Sequence, residues 1–97
     1  GRGMIVRMDL KTGRVVEVKR IDERERDIYS IHMNGNTACI AGGEGLMGYS
    51  FDGGKTFSFV EEEKFSFLWF RRARSPKDGM CLFGGKKGTV VRVLRGD

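Results

Sequence analysis

His32 is the only histidine of the chain and lies between Ile31 and Met33 in a run of strand character. With no second histidine to share a metal or to support a nucleophile, it is expected to be an ordinary strand residue, partly buried or at the surface. A serine nucleophile would need a Gly-x-Ser-x-Gly elbow, and none is present. Cys39 and Cys81 are the only cysteines, neither in a Cys-x-x-Cys pair nor near a histidine cluster, so no disulfide framework and no structural zinc is expected. Their neighbours Ala38, Ile40, Met80 and Leu82 are small or apolar, which marks both as compact hydrophobes on buried strands rather than redox-active thiols. Gly42-Gly43-Glu44-Gly45 and Gly84-Gly85-Lys86-Lys87-Gly88 look like phosphate loops, but a phosphate loop opens a helix, and strand-type residues follow both. No catalytic residue, metal or cofactor is expected.

Basic and aromatic residues are the remaining chemistry. Arg71, Arg72 and Arg74, with Lys86 and Lys87, are the candidate contacts for nucleic acid or for a protein partner, because arginines meet phosphates and neighbouring aromatics stack on bases. Two features weigh against nucleic acid. Phe65-Ser66-Phe67-Leu68-Trp69-Phe70 is nearly continuous apolar sequence, as in an inner strand packed on both faces, and Glu61-Glu62-Glu63 opposes a positive patch. The net charge of +5 on 97 residues also serves solubility.

The elements that must position these residues are strands. Met4–Asp9 and Arg14–Arg20, around the turn Leu10-Lys11-Thr12-Gly13, form a first hairpin. Polar residues 21–27 connect it to Ile28–Met33, which turns at Asn34-Gly35-Asn36 into the short strand Thr37–Ala41. Leu46–Phe51 and Thr56–Val60 follow, then Phe65–Phe70, Met80–Phe83 and Thr89–Leu94. The expected fold is all-β, without helices. A charged fraction of 32%, no glutamine, two asparagines and one proline lean toward a thermophile source. No run of 18 apolar residues is present to span a membrane.

Ser50, Asp52, Gly54, Thr56 and Phe57 spell Ser-x-Asp-x-Gly-x-Thr-aromatic, with glycines free to take the positive φ of a tight turn and an aspartate able to bond amides ahead of it. This resembles the Asp-box of sialidases, sortilin-type receptors and propeller-shaped photosystem II assembly factors, with Phe57 where the family has Trp. The resemblance implies a structural turn between the third and fourth strands of a propeller blade, and no active site. Laid on itself, the chain repeats at roughly 43 residues, in the range of a four-stranded blade. Ala38–Gly45 aligns with Met80–Gly88, cysteine over cysteine with one inserted lysine, Gly1–Ile5 aligns with Gly43–Met47, and Asp9 falls under Asp52. Residues 1–20 then end one blade, 28–60 form a full blade and 66–94 most of another.

About two blades cannot close a ring, so self-association, or membership of a longer chain, is expected. The expected function is a non-catalytic propeller scaffold or protein-binding module, with a protein partner and no membrane. Two alternatives stand beside it. One is a fragment of a sialidase-like glycosidase, a family that draws an arginine triad and a tyrosine nucleophile from blades all around the ring; Tyr29, Tyr49 and several arginines are present, but no motif assigns them such a role. The other is a basic propeller that binds nucleic acid.

Overall fold

The computed structural model describes residues 4–8, 15–20 and 22–96, the first two segments as backbone strands. Within these residues nine strands form three antiparallel sheets: β1 (Met4–Met8) with β2 (Val15–Arg20), the meander β3 (Ile28–Asn34), β4 (Thr37–Gly42), β5 (Met47–Ser50) and β6 (Ser58–Phe59), and the meander β7 (Arg72–Arg74), β8 (Met80–Gly84) and β9 (Val90–Leu94). Among the described residues there are two short 3-10 turns and no α-helix. The turn at 10–13 and the alignments of Gly1–Gly3 and Asp9 lie outside the described residues.

The β3–β4 hairpin forms at Asn34-Gly35 as its chemistry dictates, with Asn34 paired to Thr37 and Gly35 at φ 61°. Strand β4 is buried along its whole length, because both of its faces are covered. On one face, Cys39, Ala41 and Met47 pack against Phe70, Ala73, Cys81 and Phe83 in a core shared with the three-stranded sheet. On the other face, Ile40 and Leu46 pack with Ile28, Phe57 and Phe59. Side chains of one or two heavy atoms at Cys39 and Ala41 let the neighbouring sheet approach closely, and the fully buried Phe70 and Phe83 supply volume between the sheets. Burial of each phenylalanine stabilises the fold by about 1.5–3 kcal/mol.

Polar contacts then set the register between the sheets. From the inward face of β3, Ser30 accepts the Ala73 amide (3.1 Å), His32 Nδ1 accepts the Ser75 amide (2.9 Å), and Asn34 donates to the Ser75 carbonyl (2.9 Å). Thr37, fully buried, donates to the Asp78 carboxylate and accepts the Gly79 amide, both at 2.6 Å. Alternate residues of one strand thus hold the backbone of the next sheet, as the two-residue period of a strand requires. His32 is accounted for here, as a half-buried acceptor between sheets.

Two expectations are corrected. The apolar segment Phe65–Phe70 is not a strand: Glu63–Phe65 is a 3-10 turn and the strand begins at Arg72. The Gly45 amide donates to the Leu68 carbonyl (2.7 Å) and the Phe70 amide to the Gly42 carbonyl (2.9 Å), so the glycine turn and the aromatic loop are laced together. A Cβ at Gly45 would stand 2.6 Å from the Phe65 carbonyl oxygen, so the close approach requires glycine. Only Phe70 of the loop is buried, and Phe67 is 91% exposed.

The second correction concerns the cysteines. They are fully buried, as their neighbours imply, but they are joined as a disulfide across the two sheets, with Cα atoms 5.8 Å apart. Cysteine over cysteine is also the wrong alignment. Gly42 donates to Leu46 and Leu46 to Gly43, while Gly85 donates to Thr89 and Thr89 to Lys86, each counterpart lying 43 positions on. Glu44 and Gly45 have φ of 53° and 78°, and Lys87 and Gly88, 43 positions on, have 56° and 74°. The strand pairs Ala38↔Ser50 and Cys39↔Tyr49 recur at the same interval as Cys81↔Val93 and Leu82↔Arg92. Cys81 is therefore the counterpart of Ala38. An offset of one residue turns a side chain to the opposite face, which is why two cysteines on successive sheets face each other.

Candidate functional site

Five of the residues singled out from the sequence form one built turn between β5 and β6. Ser50 Oγ donates to Asp52 Oδ1 (2.7 Å) and accepts the Gly54 amide (2.9 Å). Asp52 Oδ1 also accepts the Thr56 amide (3.0 Å), and Asp52 Oδ2 accepts the Thr56 hydroxyl. Gly53 and Gly54 take φ of 78° and 88°, and the Gly53 amide donates to the Asn36 carbonyl (2.9 Å), tying the turn to the β3–β4 hairpin. Phe57 leaves the turn into the cluster around Ile40. Every polar group of the motif is spent within the turn, so the arrangement shapes backbone and presents no free acid or base.

The hydroxyl and amide of Thr56, then the hydroxyl of Ser50, hold the Asp52 carboxyl far below the usual carboxylate range. A carboxyl whose folded-state pKa is depressed stabilises the fold fully above its unfolded value, about 4, and loses that contribution as the pH falls toward the folded one. The melting temperature is therefore expected to decline between about pH 4 and pH 2, and Asp52→Asn, which cannot accept through two charged oxygens, should melt lower at neutral pH and decline less over that range. Thermal melts of both proteins across the series check this. Parallel curves would remove Asp52 from the account.

The basic residues divide between two adjoining surfaces. Arg71 lies over the rings of both Tyr29 and Trp69, its guanidinium carbon 5.5 Å from each centroid, and Lys86 reaches the Trp69 ring at 5.9 Å. The two rings are 6.1 Å apart and inclined at 47°. Arg72 and Arg74 instead stand on the outer face of the three-stranded sheet, where Arg74, Leu82 and Arg92 form one cross-strand row and Arg72, Gly84 and Val90 the next. Lys87 occupies the left-handed position of the β8–β9 turn and is exposed. Tyr29 is the member of the aromatic group that its sequence position hides: it comes from the distant β3, and the period of that strand marks it only as pointing away from Ser30.

At the same end of the sheets, Asp22 and Arg26 make a buried ion pair at 2.9 Å in the link before β3. Asp22 accepts the amides of Arg24 and Arg26 as well, and the Arg26 guanidinium lies 5.8 Å from the centre of the Phe59 ring. Burial alone would raise the Asp22 pKa, but the hydrogen bonds and charge of Arg26 outweigh it and the net shift is downward. Glu61, Glu62 and Glu63 border a groove with Arg24, Arg26 and Glu44, and Arg24, Arg26 and Glu44 also line the adjoining pocket at Tyr29 and Trp69. Among the described residues no group of three or more His, Cys, Asp or Glu side chains could hold a metal ion, and no helix is long and apolar enough to cross a membrane.

Compared with protein-family models, curated proteins and solved structures, the chain has no significant match.

Proposed function

We propose that this chain is a non-catalytic scaffold or protein-binding module of β-propeller type, in which the four-stranded and three-stranded sheets are successive blades, and that it associates with further copies of itself. The observation that carries this reading is the recurrence, 43 residues apart, of one glycine turn with the same hydrogen bonds and the same left-handed residues, on two sheets stacked face to face. A fold built by repetition stacks each sheet on the last, and its outermost sheets keep faces for a neighbour. Ile31 and Met33 on β3, 51% and 53% exposed, form such a face. The turn at Ser50–Thr56 supports an Asp-box assignment, since it joins the third and fourth strands of its sheet. The mechanism is geometric: stacked sheets hold the loops at their ends in fixed relation, and those loops present the recognised surface.

Size-exclusion chromatography with light scattering tests the association. The expected species is a discrete assembly of several chains that dissociates on Ile31→Lys or Met33→Lys substitution. A monodisperse monomer at all concentrations defeats self-association as the means of covering this face.

A further inference from the structure

We propose that the outer face and adjoining end of the three-stranded sheet bind single-stranded nucleic acid, with bases stacking on Trp69 and Tyr29 and phosphates held by Arg72, Arg74 and Arg92. This goes beyond the scaffold reading and does not depend on the number of chains in the assembly.

The sequence argument against nucleic acid was that the aromatic run is an inner strand packed on both faces. The structure removes that premise. Trp69 is 44% exposed and Tyr29 41% exposed, and the loop carrying Trp69 is fastened through its backbone and through Phe65, Leu68 and Phe70, which leaves the Trp69 ring at the surface. An exposed aromatic pair with a guanidinium already against both rings is a stacking platform with a cation in place, and base stacking on such a platform tolerates any sequence.

Next to that platform lies a face with charge of one sign. Its residues from β7, β8 and β9 are Arg72, Arg74, Met80, Leu82, Gly84, Val90, Arg92 and Leu94, with no acid among them. Arg72 and Arg74 lie two residues apart on one strand, about 7 Å, and Arg92 is two strands away from Arg74, about 10 Å. All three are exposed, and none of their guanidinium groups has an ion-pair or hydrogen-bond partner among the described residues. On the four-stranded sheet, the counterparts of Leu82, Val90 and Arg92 are Cys39, Met47 and Tyr49, which receive the next sheet. On the outer sheet an arginine row has taken the place of that receiving surface, which suits a polyanion.

The acidic run Glu61–Glu63 borders a groove lined by Arg24, Arg26 and Glu44 and by no residue of β7–β9, so it does not oppose the arginine face. On the side of the four-stranded sheet the rings adjoin a pocket of mixed charge, with Glu25, Asp27 and Glu44 beside Arg24 and Arg26. The β7–β9 face carries arginines and no acid, so a polyanion is favoured there. A duplex keeps its bases stacked inside and cannot use the rings, so the surface selects single strands.

The test is fluorescence anisotropy of a labelled oligo-dT of roughly 12 nucleotides with the full chain at several salt concentrations, alongside quenching of Trp69, the only tryptophan. Expected are binding at low salt, quenching on saturation, and a slope of about −2 in log affinity against log salt, for three phosphates on a single strand. Trp69→Ala should weaken binding roughly 10–100-fold while Trp69→Phe, which keeps a ring, stays within a few fold. Replacing Arg72, Arg74 and Arg92 by glutamine should flatten the salt slope; circular dichroism confirms that each variant is folded. Absence of binding at low salt overturns the proposal. So does a surface that takes heparin or poly-glutamate as tightly as oligo-dT with Trp69→Ala unaffected, which would make it a general polyanion or acidic-protein surface.

Discussion

Cys39→Ala/Cys81→Ala is expected to unfold at markedly lower urea concentration than the parent chain, with a loss near 4 kcal/mol. The bridge closes a loop of 42 residues, and removing it returns to the unfolded chain the entropy that loop closure denies it, about 4 kcal/mol for this length. Domains are stable by about 5–15 kcal/mol in all, so the double variant keeps a fraction of its stability at best. The bridge also joins β4 to β8 at the centre of the core, among Ala41, Met47 and Phe83, so its loss separates two sheets that otherwise meet through a small apolar surface and a row of polar contacts. Substituting both residues avoids leaving a reactive thiol, and equilibrium urea denaturation reads the result. A companion measurement is thiol labelling of the unreduced protein in denaturant. The expected count is zero, and two reactive thiols would show that the cysteines are free.

Arg26→Ala should be comparably severe. The Asp22 carboxylate is almost completely buried and, among the described side chains, Arg26 alone meets its charge, so deleting the guanidinium leaves a buried anion facing the Arg24 and Arg26 amides. Breaking a buried pair from one side costs about 3–5 kcal/mol, whereas Asp22→Ala/Arg26→Ala together should cost less than the two single changes added, because no charge is stranded. Arg26→Lys keeps the charge but not the fork that grips both carboxylate oxygens, and should fall between. Since the folded-state pKa of Asp22 is lowered, this contribution is present above the unfolded carboxyl value, about 4, and disappears as the pH drops through the folded one. The pair holds the segment whose Asp27 carbonyl accepts the Gly43 amide at 3.0 Å, so amide exchange at Gly43 should accelerate in Arg26→Ala. Unchanged exchange there, with unchanged urea midpoints, would mean that the pair does not hold the loop.

Much of the architecture was legible in residue order because it is local. Asn34-Gly35 makes a hairpin wherever two strands flank it, and Ser50, Asp52, Gly54 and Thr56 satisfy one another within seven residues, so neither needs the rest of the molecule. The aromatic loop was not legible. Phe65–Phe70 has the composition of a buried strand, and only the carbonyls and amides of a glycine turn more than twenty residues earlier convert it into a loop. The candidate contacts were legible as a list but not as a surface. Neighbours in sequence such as Arg71 and Arg72 go to different places, one to the rings of Tyr29 and Trp69 and the other to the outer sheet face, because Arg71 ends the aromatic loop and Arg72 begins β7.

By itself, then, the sequence determined an all-β chain of short antiparallel strands, the positions of its tight turns and an interval near 43 residues, all of which follow from turn chemistry and strand periodicity. Only the tertiary structure decided that Cys39 and Cys81 are bonded, that Trp69 is open to solvent and that three arginines share one face. The second depends on a glycine turn that holds the aromatic run as a loop, and the first and third on which side of a strand a residue takes. That is a matter of single-residue register between distant segments, and composition and spacing do not encode it.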